Sequence, residues 1–441
     1  NDTMPLHSGW KFRQANRNEW HSATVPGVVH TDLLDNGLIE DPYYRLNERS
    51  LQWIDKEDWI YEVSFDAGTL TRGYEHVRLE FLGLDTYADV FLNETRILTA
   101  DNMFRRWAAE VKPLLKEHGN VLRVYFHSPI NKALPQYESL PYRYEAWNDQ
   151  ADNGGLDGKK LSPFTRKAGY HYGWDWGPRL VTSGIWRPVK LQGWNELRLE
   201  DVFHRQTEVS SEAARVETQV EIEAAAPVEN AVVTVSDGKR VLGSRSVQLH
   251  AGMNRVSVPF TIDHPELWWC RGMGEPHLYT FRTTVELDDR VLADHSAQVG
   301  LRSVTVEKKP DAYGRSLRFL LNGEPYRLRG VVYYEDRASS GIALTPYQIR
   351  EDLDMIAEMG ANAVRAAAYP HNPEFYAECD RRGLIVWTDL PFVGPAFMTD
   401  KGYTGTEELK RNGMQQLREM LFQQFNHPSV VMWGIFSEQT P

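Results

Sequence analysis

The residues able to do chemistry in this sequence gather at the ends of apolar runs. Glu438 follows Ser429-Val430-Val431-Met432-Trp433-Gly434-Ile435-Phe436 and then Ser437. Glu335 and Asp336 follow Tyr326–Tyr334, Arg365 lies inside Asn362–Ala368, and Asp389 comes near the end of Leu384–Leu390. Polar groups carried by four parallel strands converge on one face of an α/β barrel, where such folds keep their chemistry. Paired carboxylates across a pocket suit glycoside hydrolysis: one protonates the leaving oxygen while the other attacks or activates water. Only one member of such a pair, Glu438, is obvious. The plainer reading makes these acids and arginines ordinary solvated loop residues, and for Glu438 taken alone the two readings weigh equally.

A second group is Tyr170-His171-Tyr172-Gly173-Trp174-Asp175-Trp176-Gly177-Pro178-Arg179. Two indoles flank a carboxylate between Gly and Pro breaks. An exposed loop of this kind can stack a sugar and accept hydroxyl hydrogen bonds through Asp175. The alternative is a loop packed on a neighbouring domain, with Asp175 paired to Arg179. No histidine, cysteine or acid cluster has metal-ligand spacing, and His171 and His371 read as structural. Neither a glycine-rich phosphate loop nor a nucleophile elbow is present. No cofactor is expected.

The elements that must position these groups change rhythm along the chain. Short alternating strands such as Trp59–Phe65, Val77–Leu82, Tyr87–Leu92 and Val121–Phe126 predict a jelly-roll sandwich over residues 1–195, with a short helix at Val29–Asn36. Alternation continues through Val216–Ile222, Ala231–Val235, Arg255–Phe260 and Tyr279–Leu287, with turns at Asp237-Gly238 and Asp288-Asp289. Residues 196–305 therefore read as a smaller, immunoglobulin-like sandwich. Strands then alternate with helices. Tyr326–Tyr334, Asn362–Ala368, Leu384–Leu390 and Ser429–Phe436 are strands. Between them lie a helix capped by Thr345 and Pro346 and stopped by Gly360, a helix Glu374–Arg382 closed by Gly383, and a helix Glu407–Phe425. This is a parallel α/β layout. Residues 306–441 number 136, whereas a complete eightfold barrel takes roughly 250. The expectation is the first half of a (β/α)8 barrel, truncated and inactive by itself. A complete small doubly wound domain is the alternative.

Composition sets outer bounds. The net charge of −12 without a long basic run argues against nucleic acid or anionic membrane as a partner. Apolar runs are shorter than a bilayer span. Two cysteines, Cys270 and Cys379, fall in different predicted domains, so no structural disulfide is expected. The chain starts at Asn1 without an initiator methionine, which fits a removed leader and a periplasmic or extracellular protein, with the cytoplasm as the alternative. Fourteen tryptophans fit large sandwich cores and, alternatively, sugar stacking. Oligomeric state has no sequence signal.

Together these residues resemble glycoside hydrolase family 2 along almost the whole chain. The front is similar to β-mannosidases in Ser8-Gly9-Trp10, Val25-Pro26-Gly27, His30-Thr31-Asp32-Leu33-Leu34, Asp41-Pro42-Tyr43-Tyr44 and Gly173–Arg179 continuing to Ser183–Val189. Leu267-Trp268-Trp269 with Gly274–Tyr279 resembles the middle-domain motif, and Val299-Gly300-Leu301-Arg302 the barrel entry. Gly330–Asp336 and Asn362–Pro370 are more similar to family 2 β-galactosidases, with Ala368 where that pattern has histidine. The resemblance implies a retaining exo-β-glycosidase acting on terminal sugars of oligosaccharides or other glycosides, β-mannosidase-like, with β-galactosidase as the alternative. It implies that Glu438 is the general acid/base and that Trp174, Asp175 and Trp176 line the terminal-sugar subsite. Arg365, Asp389, Glu335 and Ser437 are the further substrate-site candidates. Ser437 stands where the family pattern has asparagine. The nucleophile would be a glutamate of the seventh barrel strand, oriented by Arg365 and lying beyond Pro441. A non-catalytic carbohydrate-binding protein is the rival from another class, and a β-sandwich interaction module without sugar affinity is a third.

Overall fold

Alternation of buried and exposed side chains builds the chain from Asp2 to Val299. In His76–Phe81 and Asn120–Phe126 the inward residues are fully buried and their neighbours are not, the period-two pattern of a sheet with one face on a core. The computed structural model describes residues 1–144, 146, 149–173, 177–335, 344–392 and 407–435. Two antiparallel sheets form the leading sandwich. One orders Asp2–Pro5, Val189–Trp194, His76–Phe81 and Trp107–Glu110. The other orders His21–Ser22, Lys11–Gln14, Trp59–Phe65, Asn120–Phe126, Ala88–Leu92 and Thr95–Ala100. Phe12, Tyr61, Leu79, Phe81, Val90, Val124 and Leu191 fill the space between them. The short helix is Val29–Asp35.

The second sandwich stacks Leu197–Val209, Ala213–Ala224 and Gly252–Asp263 on a four-stranded sheet. That sheet orders Val241–Leu249, Val228–Ser236, Tyr279–Leu287 and Arg290–Val299. Its core is largely β-branched, with Phe260 and Phe281 in edge-to-face contact at 5.5 Å. The turn signals Asp237-Gly238 and Asp288-Asp289 do join neighbouring strands.

The rest is a parallel sheet preceded by a hairpin, Val304–Asp311 with Gly314–Leu321, that the alternation did not reveal. The expected single strand Tyr326–Tyr334 is two strands in two sheets. Glu324–Tyr326 closes the hairpin sheet, while Gly330–Tyr333 opens the parallel one. The break is held by the Asn362 side chain, which accepts from Arg329 N at 2.8 Å and donates to Arg327 O at 2.9 Å. Gly330–Tyr333, Ala363–Ala366, Ile385–Asp389 and Val430–Gly434 then pair in sequence order, all parallel. Between them run helices Pro346–Glu358, Pro373–Arg382 and Glu407–Gln424. Thr345 caps the first with a reciprocal Gln348 contact, satisfying two orphan backbone groups. Gly383 ends the second at φ +68, and a Cβ there would stand 2.9 Å from Trp269 O. Both conformation and space demand glycine at that C′ position.

The two faces of this sheet differ. Val331, Val364, Val386 and Val430 pack with Ile349, Leu353, Phe375 and Tyr376 of the helices. On the other face Val332, Arg365, Trp387 and Met432 fall in one register row, and Val332 is 58% and Trp387 40% exposed. Lower on that face Ala363 and Ile385 are covered by Trp268 and Leu321.

Candidate active site

Chemistry-bearing side chains meet where the open face reaches the C-terminal ends of its strands. Arg365 reaches across the sheet and donates to Asp389 Oδ2 from Nε at 3.1 Å and Nη2 at 2.8 Å. Its guanidinium lies 5.0 Å from the Trp387 ring centroid, within cation–π range. The backbone N–H of Ala368 donates to the same oxygen at 3.1 Å. Ala368 holds φ +66, a conformation that L-residues other than Asn and Asp seldom adopt. Asp389 is buried, and its Oδ1 has no hydrogen-bond partner among the described residues. That oxygen faces the backbone of Gly434, where a Cβ would stand 2.4 Å from it. A ligand hydroxyl is the kind of donor this acceptor lacks.

Glu335 takes a different place from the substrate contact expected of it. It is fully buried, and both carboxylate oxygens accept from Asn372 N, at 2.8 and 3.0 Å. Asn372 is the N-cap of helix Pro373–Arg382, so the carboxyl group sits on the positive end of that helix. Burial pushes it up to about 8, against the lowering effects of the Asn372 N–H and the nearby Arg187. Its side chain therefore supports the loop after Ala366.

The leading sandwich meets this sheet through a mixed apolar and polar contact. Val28, Met103, Phe104, Ala168 and Trp186 pack on Ala368 and Tyr369. Tyr170 Oη lies 3.2 Å from Glu335 O and 3.3 Å from Tyr369 Oη. Arg187 donates to Pro370 O at 2.7 Å and His371 O at 2.8 Å; burial pulls this guanidinium down to about 10. Arg166 donates to Pro391 O and Gln416 Oε1, both at 2.6 Å. Arg105 adds a two-pronged pair with Glu419 on helix Glu407–Gln424.

The same segment is anchored from behind by a wholly buried ion pair. Lys167 Nζ lies 2.6 Å from both oxygens of Asp85, and Thr182 Oγ1 donates to Asp85 Oδ2 at 2.6 Å. His171 stands beside it, and burial with the Lys167 charge keeps its imidazole well below the usual range and neutral. His371 is likewise neutral, pulled down to about 3 by burial, among the rings of Tyr333, Tyr369 and Phe375. Arg179 is buried and paired with Asp55 at 2.6 Å.

Trp174, Asp175, Trp176, Ser437 and Glu438 lie outside the described residues, as does Asp336. Of the sequence candidates, the structure brings Arg365 and Asp389 into direct contact and sets Glu335 behind them. Sequence reasoning missed Arg166 and Arg187 as groups that reach this end of the sheet. Tyr170 lay at the start of the aromatic stretch already singled out, which was its only signal.

Three family descriptions match the chain in succession. Residues 10–187 match the glycosyl hydrolase 2 galactose-binding domain-like family, 197–302 the glycosyl hydrolases family 2 domain, and 315–440 the glycosyl hydrolases family 2 TIM barrel domain. Similar proteins include a β-mannosidase B from Thermothelomyces thermophilus, 32% identical over 98% of this chain and 49% of its own length. A β-mannosidase from Bos taurus is 28% identical over 98% of this chain and 49% of its own. Among solved structures, a β-D-mannosidase from Dictyoglomus thermophilum is 32% identical with a TM-score of 0.86, covering 98% of this chain and 52% of that one. The chain spans about half the length of the curated relatives it matches. With an unbroken series of family 2 domains along it and an arginine–aspartate pair at the strand ends of its parallel sheet, the chain belongs to glycoside hydrolase family 2.

Proposed function

We propose that the protein is a retaining exo-β-glycosidase of β-mannosidase type. The observation that carries this reading is the Arg365–Asp389 pair, with Asp389 Oδ1 unpartnered among the described residues, near the exposed Trp387 ring. A sugar needs such a surface: an aromatic face for its C–H side and a fixed acceptor for its hydroxyls. The likeness to β-mannosidases over nearly the full chain supports the choice of sugar. Residues 1–195, 196–305 and 306–441 act as sugar-binding sandwich, spacer sandwich and the leading portion of the catalytic barrel. Trp174, Asp175 and Trp176 close the terminal-sugar subsite from the leading sandwich, and Ser437 offers a hydroxyl near the sugar.

Glu438 protonates the glycosidic oxygen as the bond to the leaving group breaks. A second glutamate, not among the site residues identified in this chain, takes the anomeric carbon and forms the glycosyl-enzyme. Glu438 then removes a proton from water, which displaces that glutamate and releases the sugar with retained configuration. Such carboxyl pairs stand about 5–5.5 Å apart. Asp389 accepts from a sugar hydroxyl, while Arg365 holds the Asp389 carboxyl group in place through two hydrogen bonds. The residues require no metal or cofactor for these steps.

The test uses the full-length protein with aryl β-mannoside, β-galactoside and β-glucuronide. Cleavage of the mannoside with retention is expected. Glu438→Ala should lose turnover of alkyl β-mannosides by about 10²–10⁴-fold, the usual worth of a general acid. Azide should restore turnover of substrates with good leaving groups. Unchanged rates in the variant would remove Glu438 from the mechanism, and no cleavage of any glycoside by the wild type would end the enzyme reading.

A further inference from the structure

Just beyond each of three successive parallel strands, a backbone carbonyl accepts a hydrogen bond from a side chain of the leading sandwich. After Gly330–Tyr333 the acceptor is Glu335 O, with Tyr170 Oη at 3.2 Å. After Ala363–Ala366 the acceptors are Pro370 O and His371 O, both held by Arg187 Nη2. After Ile385–Asp389 it is Pro391 O, held by Arg166 Nη2 at 2.6 Å. Each acceptor is a near chain neighbour of a group already placed at the site. Pro391 is two residues past Asp389, and Pro370 is two past Ala368, whose N–H holds the Asp389 carboxylate. Arg166 and Tyr170 also lie on the stretch that runs into Trp174-Asp175-Trp176.

Apolar contact through Phe104, Trp186 and Tyr369 gives cohesion between the two bodies, but hydrophobic burial has no preferred direction. Hydrogen bonds to carbonyl groups do have one. Arg187 Nη2, donating to both Pro370 O and His371 O, fixes the position of that loop against the sandwich. Burying the Arg187 guanidinium is costly, a cost that cohesion alone does not require.

We propose that Arg166, Tyr170 and Arg187 are positioning residues for the glycosidase reaction. They hold the first three strand ends against the leading sandwich, so that Arg365, Asp389 and the Ala368 N–H keep one geometry. The proposal rests on the function proposed above. A displacement of about 1 Å at a reacting site costs on the order of 100-fold in rate, so release of one clamp is read in kcat before it is read in folding.

The experiment compares full-length wild type, Tyr170→Phe and Arg166→Met. It reads kcat and KM on an aryl β-mannoside, Tm, and amide hydrogen exchange in segments 333–335, 369–372 and 389–392. Tyr170→Phe deletes a single oxygen; kcat should fall about tenfold with KM changed less than about twofold, and Tm should stay within a few degrees. Exchange should rise in 333–335 and 369–372 for Tyr170→Phe and in 389–392 for Arg166→Met, with the remaining segments unchanged. Unchanged kcat and exchange would overturn the proposal. So would losses of activity that track a falling Tm, with exchange raised throughout the chain. Should Arg166→Met fail to fold, Tyr170→Phe decides alone. Should the wild type cleave no glycoside, the functional reading fails and the exchange data still decide whether these side chains hold the strand ends.

Discussion

The leading sandwich and the parallel sheet use the same apolar residues to opposite ends. In the sandwich both sheets turn their apolar faces inward, and Phe12, Phe81 and Val124 have no exposed surface. Its one ion pair at full burial, Lys167–Asp85, is closed on itself by Thr182 and Thr86. In the parallel sheet only the helix-facing side is closed. Within these 441 residues the side that holds Val332, Arg365 and Trp387 is uncovered, and among the described residues Asp389 Oδ1 has no partner. A polar group left unpaired in a low-dielectric interior is costly, and the sandwich carries such atoms too, Asp149 Oδ1 and Arg179 Nε among them.

The comparison breaks most readily at Lys167. Lys167→Met leaves the Asp85 carboxylate buried without its cation, a loss of about 3–5 kcal/mol. The same change at Arg365, whose side chain is 33% exposed, should cost about 2 kcal/mol while lowering activity more than Lys167→Met does. Urea unfolding followed alongside aryl β-mannoside turnover checks both, and a reversed order would dissolve the distinction between the two regions.

Glu335 gives a test of intermediate size. Its folded carboxyl, raised by burial to about 8 from 4.5, holds its proton at pH values where the unfolded chain has lost it. Stability therefore falls as pH rises from about 4.5 to 8 and levels off beyond. The total change is a few kcal/mol at most, at about 1.4 kcal/mol per unit. Asp32 and Asp201, also raised by burial, and His30, His204 and His371, lowered by it, titrate in overlapping ranges, so the reading is the difference between the denaturation curves of wild type and Glu335→Gln. No difference in slope between them, or one of opposite sign, would show that the Asn372 N–H, the helix terminus and Arg187 outweigh burial.

The smallest effect compares the two faces of one sheet. Val364→Thr places a hydroxyl in the closed core and should cost about 1–3 kcal/mol. Val332→Thr, on the open face of the 441-residue chain, should stay within about 0.5 kcal/mol. Equal losses would mean that both faces are covered in solution.

Strand bounds could be read to the residue in the apolar run Trp59–Phe65 and the alternating run Tyr279–Leu287. The hairpin 304–321 was missed because both its faces are largely solvated. Glu307, Lys308, Lys309, Arg315 and Arg318 interrupt any apolar stripe. Tyr326–Tyr334 was read as one strand because the break depends on a side-chain amide from Asn362, 33 residues away in sequence from Arg329. At the site, Arg365 and Asp389 were legible as polar residues in or ending apolar runs. Glu335 fits the same description, yet its side chain turns to a helix terminus, which no local pattern specifies. Arg166 and Arg187 were illegible for a related reason: their acceptors at the strand ends are main-chain groups.

That last property has an evolutionary corollary. A peptide oxygen is present whatever side chain the residue carries, so the carbonyl partners of Arg166, Tyr170 and Arg187 can mutate without breaking those contacts, whereas Gln416 and Tyr369, which meet Arg166 and Tyr170 through side chains, cannot. Loops at 370–371 and 391 are therefore open to diversification in a selection library, provided that the three donors stay untouched. Substrate range could drift by loop replacement while the grip from the neighbouring module persists.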